Sequence, residues 1–250
     1  MAKIAVLSDL HLPNRADDVN RLFARLLEEF RASHVTELWL LGDIFDLFVG
    51  NFSFWKDLHR DIFEHFERLS RMGCQITYLE GNHDFRMNAV LESLGLRVRD
   101  EVCHKTVSGL ACELAHGDLV NTEDAAYLRW RAFTRNPWLH RVVGSFPSYL
   151  AEQLLLPMSE AISRKSRKHS GVSPTQETSL RDLYRAHAEA RFQEGVQALF
   201  LGHCHISDLY VRPGSKEFYL NLGTWLSGSY RYALWEPEKN FLPEVLKANG

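Results

Sequence analysis

Short apolar runs in this chain repeatedly end in a small cluster of Asp, Asn and His residues. The clusters read Ser8-Asp9-Leu10-His11, Gly42-Asp43-Ile44-Phe45-Asp46, Gly81-Asn82-His83-Asp84, His116-Gly117-Asp118 and Gly202-His203-Cys204-His205. A buried strand delivers its last residue into a loop at the sheet edge, so loops from several strands can bring their side chains into one small volume. The chain is therefore expected to fold around strands that gather these clusters at one edge.

The apolar pattern predicts alternating strands and helices in the first half of the chain. We expect buried strands at 3–8, 36–41 and 75–80, each a short apolar run. Between them we expect helices whose apolar residues share one face: first Val19, Leu22, Phe23, Leu26, Leu27 and Phe30, then Leu58, Ile62, Phe66 and Leu69. A strand-helix-strand repeat is typical of a parallel sheet.

Past Leu96 the pattern changes toward strands. Residues 101–107 and 110–115, separated by Ser108-Gly109, predict a hairpin that delivers His116. Residues 196–201 deliver Gly202-His203, and two more strands are expected to flank Pro213-Gly214. We therefore predict an α/β sandwich, parallel first and mixed later, with mostly strands in the C-terminal third.

Size and composition favour one domain. The chain has 250 residues, 45% of them hydrophobic, and the clusters run from Asp9 to His205, so we predict a single domain over 1–250. The net charge of -3 gives no global attraction to nucleic acid. The four cysteines have no paired metal-ligand spacing, and the N-terminus has no secretory signal, which favours a cytoplasmic protein with no membrane span.

An insertion at 122–175 has an unusual composition. Between 125 and 170 it carries eight Lys or Arg against two acids, together with many aromatic and aliphatic residues. We expect helices broken near Pro137, Pro147 and Pro157 to form a helical cap. Such a cap would cover a substrate, with cations for a diphosphate or lipid headgroup and an apolar side for acyl chains or the membrane interface. A dimer interface or additional core is the alternative.

The polar clusters have the chemistry of a two-metal site. We expect Asp43 to bridge two ions, one also held by Asp9, His11 and His205 and the other also held by Asn82, His116 and His203. Carboxylate, amide and imidazole ligands suit manganese, iron or zinc. Two such ions lower the pKa of a bound water to roughly 7 and neutralise phosphoryl oxygens, which favours attack on phosphorus. His83 is then free to protonate a leaving oxygen or to bind phosphate.

Other polar residues near the clusters have less specific readings. Asp46, Asp84 and Asp118 are candidates either to orient an imidazole or to serve as turn and cap residues. Cys204 lies between two expected ligands and should point away from them, because alternating residues near a strand end face opposite sides. We interpret the remaining histidines as structural: His34, His59, His65, His104, His140, His169 and His187.

The five clusters, in this order, resemble the calcineurin-like metallophosphoesterase superfamily. The resemblance implies a four-layer αββα sandwich, the seven ligands above on two ions, often manganese, and a bridging hydroxide as nucleophile. Within the superfamily the chain looks most like the UDP-2,3-diacylglucosamine hydrolases of lipid A biosynthesis. That likeness extends through His116-Gly117-Asp118, Thr122-Glu123-Asp124-Ala125-Ala126-Tyr127 and Asn136-Pro137-Trp138-Leu139.

The closer resemblance implies a manganese-dependent pyrophosphatase. Water would attack the α-phosphate of UDP-2,3-diacylglucosamine and release UMP and 2,3-diacylglucosamine 1-phosphate at the cytoplasmic face of the inner membrane, where the protein would be peripheral. Asp43 and His83 would be catalytic. Substrate contacts carried over by position are Asn82, His83, Asp124, Ser166 and His203, with Lys168 as a nearby phosphate candidate.

One departure keeps an alternative open. The lipid A hydrolases carry arginine where this chain has His83, whereas the wider superfamily has histidine. Arginine only donates hydrogen bonds and charge, but histidine can also transfer a proton. A related phosphodiesterase or phosphatase acting on another nucleotide or phospholipid is therefore the alternative. A non-catalytic scaffold ranks last, because none of the seven ligand positions is lost.

Overall fold

A computed structural model describes residues 1–14, 17–50, 52–138, 141, 148–168 and 173–248. Within helices, the side chains at 89, 148, 162, 163 and 165–168 lie outside this description. The strands are β1 Ile4–Leu7, β2 Glu37–Leu40, β3 Phe48–Val49, β4 Gln75–Leu79, β5 Asp84–Phe85, β6 Arg97–Arg99, β7 Val102–Val107, β8 Leu110–Ala115, β9 Ala198–Leu201, β10 Ser207–Val211, β11 Phe218–Leu222, β12 Arg231–Trp235 and β13 Glu244–Lys247. The helices are α1 Asp18–Ala32, α2 Ser53–Leu58, α3 Arg60–Arg71, α4 Asn88–Leu91, α5 Ala125–Thr134, α6 Ser148–Lys168 and α7 Pro174–Gln193.

Two main sheets organise the fold. The first has the order β13-β12-β1-β2-β4-β6, in which β1, β2, β4 and β6 run parallel and β12 and β13 extend the sheet antiparallel. The second has the order β10-β11-β9-β8-β7, with β9 parallel to both neighbours and the outer pairs antiparallel. The predicted change from a parallel to a mixed arrangement is confirmed.

Three apolar clusters define four layers. Ile4, Val6 and Trp39 of the first sheet pack with Leu114 and Phe200 of the second, so the sheets lie face to face. The opposite face of the first sheet packs on α1 and α3. The opposite face of the second sheet packs on α7. This αββα layering confirms the predicted sandwich.

Helix α1 shows how the sequence specifies one of these layers. The Asp17 carboxylate caps its first turn by accepting from the Asp18 amide, and an acidic residue there is favoured by the helix dipole. Its buried residues are Leu22, Phe23, Leu26, Leu27 and Phe30, five of the six predicted for this face. None of the described helices is both long enough and apolar enough to cross a membrane.

Three details differ from the sequence expectations. The C-terminal third begins with the 20-residue helix α7, which was not predicted because it buries only the narrow stripe Tyr184, Ala188 and Phe192. Helix α6 continues through Pro157, where a break was expected, although a proline removes one backbone donor from the helix. Leu58 is 39% exposed, because the chain divides at His59 into α2 and α3. Helix α5 ends at Thr134, before Pro137, as predicted, and Pro147 lies outside the described residues.

Candidate metal centre

The predicted ligands lie in loops with an unusual backbone conformation. Positive φ angles of 50° to 69° occur at Asp9, His11, Asp43, His203 and His205. A positive φ is costly for residues other than glycine and tends to cluster at functional sites. Backbone hydrogen bonds between the loops after β1 and β2 maintain this conformation. They include Asp9 N to Gly42 O at 3.1 Å and His11 N to Asp43 O at 3.0 Å.

Two glycines allow these loops to approach closely. A Cβ atom added at Gly81 would lie 2.1 Å from Oδ1 of Asp43, and one at Gly202 would lie 2.5 Å from Oδ2 of Asp9. Any larger residue at either position would displace a carboxylate. The glycine before Asn82 and the glycine before His203 are therefore required by the packing of the centre.

One cluster of ligand atoms comprises Asp9, His11, Asp43 and His205, whose candidate atoms all lie within 4.8 Å of one another. Nε2 of His11 is 3.1 Å from Nε2 of His205 and 3.8 Å from Oδ2 of Asp43. Nε2 of His205 is 3.4 Å from Oδ1 of Asp9. These are the residues that the sequence assigned to the first ion.

A second cluster comprises Asp43, His116 and His203, again within 4.8 Å. Oδ1 of Asn82 lies 3.1 Å from Nε2 of His116 and 3.0 Å from Nδ1 of His203, which adds an amide oxygen to the group. Asp43 belongs to both clusters. The structure thus brings all seven predicted ligands together, divided as expected, with Asp43 between the two halves.

The donor set fits divalent cations. Nδ1 of His116 donates to the Leu41 carbonyl at 2.8 Å, which leaves the Nε2 lone pair directed at Asn82 and His203, where a cation would satisfy it. Among the described residues, the buried carboxylates of Asp9 and Asp43 form ion pairs with histidines alone. Oxygen and imidazole ligands in this combination suit borderline divalent metals.

The electrostatic environment of the centre also favours positive charge. Burial disfavours a charged His116, but the carboxylates of Asp43, Asp9 and Asp118 outweigh burial and raise the pKa of His116 to about 9. For His203, burial and the neighbouring His116 together lower the pKa to about 4. Such opposed shifts within one cluster are typical of functional sites.

The three nearby aspartates have different roles. Asp84 does not orient an imidazole: its carboxylate accepts from the amides of Asp43 at 2.9 Å, Ile44 at 2.6 Å and Gly81 at 2.9 Å, and from the Tyr78 hydroxyl. It therefore holds two ligand loops in register. Burial and the nearby Asp43 carboxylate raise the pKa of Asp84 to about 7.

Asp46 lies near an imidazole, whereas Asp118 binds two residues of α5. Oδ1 of Asp46 is 3.7 Å from Nδ1 of His11, consistent with the expected supporting contact. Asp118 instead accepts from the Tyr127 hydroxyl at 2.7 Å and from Nε of Arg131 at 2.6 Å. Burial opposes the charge on Asp118, but His116 and Tyr127 more than compensate and lower its pKa.

His83 lies at the edge of the centre and is partly exposed. Its Nδ1 donates to the Asp46 carbonyl at 2.7 Å, and its Nε2 is 4.0 Å from Oδ2 of Asp43. Its ring meets that of His11 edge-on, with centroids 4.9 Å apart. The carbonyl contact fixes the tautomer, so Nε2 is the atom available to exchange a proton.

The sequence did not assign a role at the centre to one face of α5. Tyr127 and Arg131 of α5 and Arg135 at its C-cap lie four residues apart, and all three contact the second cluster or its supports. The Tyr127 ring is 5.2 Å from that of His203, and Arg131 binds Asp118. Arg135 donates to the carbonyls of Gly81 at 3.2 Å and Asp100 at 3.0 Å. The only sequence signal was this i, i+4, i+8 spacing.

Of the remaining predicted residues, Asp124 and Cys204 do not belong to either ligand cluster. The exposed Asp124 caps α5, accepting from the Tyr127 amide at 2.9 Å. Ser166 and Lys168 are on α6, but their side chains lie outside the description. Cys204 is packed away from the ligands, as predicted: its sulfur is 3.3 Å from Nδ2 of Asn221, and burial raises its pKa to about 12. His140 and His169 lie outside the described residues.

Comparison with known proteins gives a consistent family. The profile of the family described as calcineurin-like phosphoesterase matches residues 2–207. A protein of Chromohalobacter salexigens named UDP-2,3-diacylglucosamine hydrolase is 32% identical over 236 residues, which cover 89% of each chain. One of Pseudomonas entomophila with the same name is 29% identical over 226 residues, covering 89% of this chain and 90% of the relative.

A solved structure of vacuolar protein sorting 29 from Cryptosporidium parvum shares 15% sequence identity with this chain. It aligns with 99% of this chain and 86% of its own chain at a TM-score of 0.45. A likeness this distant carries no argument about function.

Proposed function

We propose that this chain, which belongs to the calcineurin-like phosphoesterase family, hydrolyses the pyrophosphate of UDP-2,3-diacylglucosamine at a two-metal centre. Water attacks the α-phosphate, and the products are UMP and 2,3-diacylglucosamine 1-phosphate of the lipid A pathway. The observation that carries the proposal is the pair of ligand clusters that share Asp43. Relatives bearing this hydrolase name over 89% of the chain support the choice of substrate.

The proposed cofactor is a pair of Mn²⁺ ions. Asp9, His11, Asp43 and His205 would hold one, and Asp43, Asn82, His116 and His203 would hold the other. Bound there, the ions would supply a water of pKa roughly 7 and neutralise phosphoryl oxygens. The centre is buried and lined by fixed donors, which keeps the ligand atoms oriented without reorganisation during the reaction.

His83 is the proposed proton-handling residue. The Asp46 carbonyl holds its Nδ1–H, so Nε2 faces the centre beside Asp43. When protonated, Nε2 donates to the leaving β-phosphate oxygen; when neutral, it accepts a proton from an acidic group of the substrate. An arginine at this position would offer only the first of these roles.

The exposed surface of α5 and α6 supports a lipid substrate. It carries Trp130, Phe133, Tyr149, Leu150, Leu154 and Met158, all exposed, and Trp138 nearby is 71% exposed. Exposed apolar residues in this number mark an interaction surface for lipid or protein. We propose that 122–175 is a cap inserted in a single domain, 1–250, and that it receives the acyl chains.

The same surface supports a peripheral location. Exposed Trp, Tyr and Phe residues are favoured at a membrane interface, and Arg141 lies over the Trp138 ring at 5.4 Å. We place the protein at the cytoplasmic face of the inner membrane. Asn82, His83, Asp124, Ser166 and His203 remain the proposed substrate contacts, with Lys168 as a nearby phosphate candidate.

The test is a substrate comparison with purified, Mn²⁺-loaded protein. Incubation with UDP-2,3-diacylglucosamine in detergent micelles should release UMP, measured by mass spectrometry, and the Asp43→Asn variant should release none. Bis(p-nitrophenyl) phosphate serves as the comparison substrate. The partly exposed His83 favours a second candidate, a phosphodiesterase of broader range. Faster turnover of the chromogenic diester than of any UDP-lipid would select that candidate.

A further inference from the structure

Four segments of the chain meet at Asn14, which lies three residues after His11. Its Nδ2 donates to the Leu47 carbonyl at 2.9 Å and to the Ser159 hydroxyl, and its Oδ1 accepts from Nε2 of His59 at 2.6 Å. The four segments are the loop after β1, the loop after β2, the junction of α2 and α3, and α6. One amide side chain therefore joins α6 to both loops of the first ligand cluster.

The direction of each hydrogen bond is fixed by its partner. The Leu47 carbonyl can only accept, so the NH₂ group of Asn14 must face it. Oδ1 of Asn14 must then accept a hydrogen bond from Nε2–H of His59, which defines the tautomer of that histidine. Within the described chain, Nδ1 of His59 is buried with no hydrogen-bond partner. Both N–H groups and the oxygen of the Asn14 amide therefore have a partner.

Two partners of Asn14 are shielded from water, and Asn14 itself is partly exposed. Ser159 is 1% exposed and His59 is 2% exposed, and the His59 ring packs on Phe45 with centroids 4.4 Å apart. Ser159 shares its side of α6 with Ala151, which is buried in the core. A hydrogen bond in such surroundings is costly to break, because its partner is left without water to replace it.

The loops joined at Asn14 carry the ligands of the first cluster. Backbone bonds connect Leu12 to Ile44 at 2.8 Å and Asp46 to Leu12 at 2.9 Å. The side chain of Asn14 adds the next connection, to Leu47. Displacement of α6 would thus pull on the segment that holds His11 and on the segment that holds Asp43.

We propose that Asn14, His59 and Ser159 form a latch that positions α6 relative to the metal-binding loops, and so sets the affinity for the lipid part of the substrate. The inference rests on the proposed function for its substrate. None of the three residues is a metal ligand. They act through α6 and are positioning residues.

The test uses the full-length Mn²⁺-loaded protein and three variants. Ser159→Ala removes only the contact to α6, and Asn14→Asp replaces the donor facing Leu47 with an oxygen. Ser179→Ala is the control, since this exposed serine on α7 donates only locally, to the Thr175 carbonyl at 3.1 Å. The measurements are kcat and KM for UDP-2,3-diacylglucosamine and for bis(p-nitrophenyl) phosphate, and hydrogen exchange over 148–161.

We expect Ser159→Ala to raise KM for the lipid by about threefold to tenfold, the factor that corresponds to one lost buried hydrogen bond. Its kinetics on the soluble diester should match those of the wild type, and α6 should exchange faster. Asn14→Asp should also lower kcat on both substrates, because it disturbs the ligand loops. Ser179→Ala should match the wild type throughout.

Two results for Ser159→Ala would overturn the latch. One is an unchanged KM for the lipid, and the other is an equal loss of activity on both substrates, which indicates general destabilisation. If the wild-type protein leaves the lipid intact, the proposed function fails instead. The latch is then decided by exchange alone, and unchanged protection of α6 in Ser159→Ala would reject it.

Discussion

At the scale of single residues, the centre combines backbone strain with buried charge. Each positive φ at a non-glycine residue costs of order 1–3 kcal/mol, and five residues of the two clusters have one. The carboxylate of Asp84 offsets part of this cost by binding the amides of Asp43, Ile44 and Gly81. The buried carboxylate of Asp84 thus stabilises a strained backbone. This implies that the ligand positions, rather than local stability, determine the conformation of the loops.

A pair of substitutions distinguishes ligands from their packed neighbours. His116→Ala removes an imidazole directed at Asn82 and His203, and we expect it to lose one ion per chain and at least about 100-fold in kcat. Cys204→Ser alters a buried side chain outside the clusters, and its kcat should stay within about threefold of the wild-type value. Metal content by mass spectrometry and initial rates measure both. Similar activity in the two variants would show that His116 is not a ligand.

His59 should make stability depend on pH. Burial lowers its pKa from 6.5 to about 3, so the folded protein excludes a proton that the unfolded chain binds below pH 6.5. The free energy of unfolding therefore falls as the pH drops from 6.5 toward 3, by up to about 1.4 kcal/mol per pH unit from this group.

His59→Gln keeps a donor for Asn14 but does not titrate. Urea unfolding between pH 4 and 7 measures how the free energy of unfolding changes with pH. This slope should be smaller in the variant than in the wild type, by the equivalent of up to one proton. Variant and wild type share every other titrating group, so their difference isolates His59. Equal slopes would mean that His59 is protonated in the folded state, against its burial.

At the scale of elements, α5 is held to the second cluster by residues one helical turn apart. Tyr127 and Arg131 converge on Asp118, and Arg135 reaches the loop before Asn82. The sequence showed the basic residues of this segment but not their direction, because a helical spacing alone does not say which face meets the core. Helix α1 was predictable because five large apolar residues mark its face, whereas α7 buries a narrow stripe.

The Arg131–Asp118 ion pair should contribute measurably to stability. Both side chains are largely buried, at 14% and 7% exposed, so removal of the arginine leaves a poorly solvated carboxylate beside His116. We expect Arg131→Gln to lower the free energy of unfolding by about 3 kcal/mol. Arg129→Gln, on the exposed side of the same helix, removes the same charge. It should change the free energy of unfolding by less than about 0.5 kcal/mol. Equal effects in urea unfolding would contradict this assignment.

At the scale of the whole molecule, two sheets bring residues from Asp9 to His205 into one centre. The sequence predicted that the seven candidate ligands come together and how they divide into two clusters, because each follows an apolar run and strand ends share an edge. It did not predict the residues that support these side chains, such as Asp84, which accepts hydrogen bonds from loop amides, or Asn14, where four segments meet. Those roles depend on contacts between distant segments, which a local pattern does not encode.

The most direct test of the central claim is to follow oxygen from labelled water. Mn²⁺-loaded protein is incubated with UDP-2,3-diacylglucosamine in H₂¹⁸O, and both products are analysed by mass spectrometry. Attack on the α-phosphate at a two-metal centre predicts one ¹⁸O atom in UMP, none in 2,3-diacylglucosamine 1-phosphate, and no products after chelation. Label in the sugar phosphate, or UMP release that persists without metal, would contradict it.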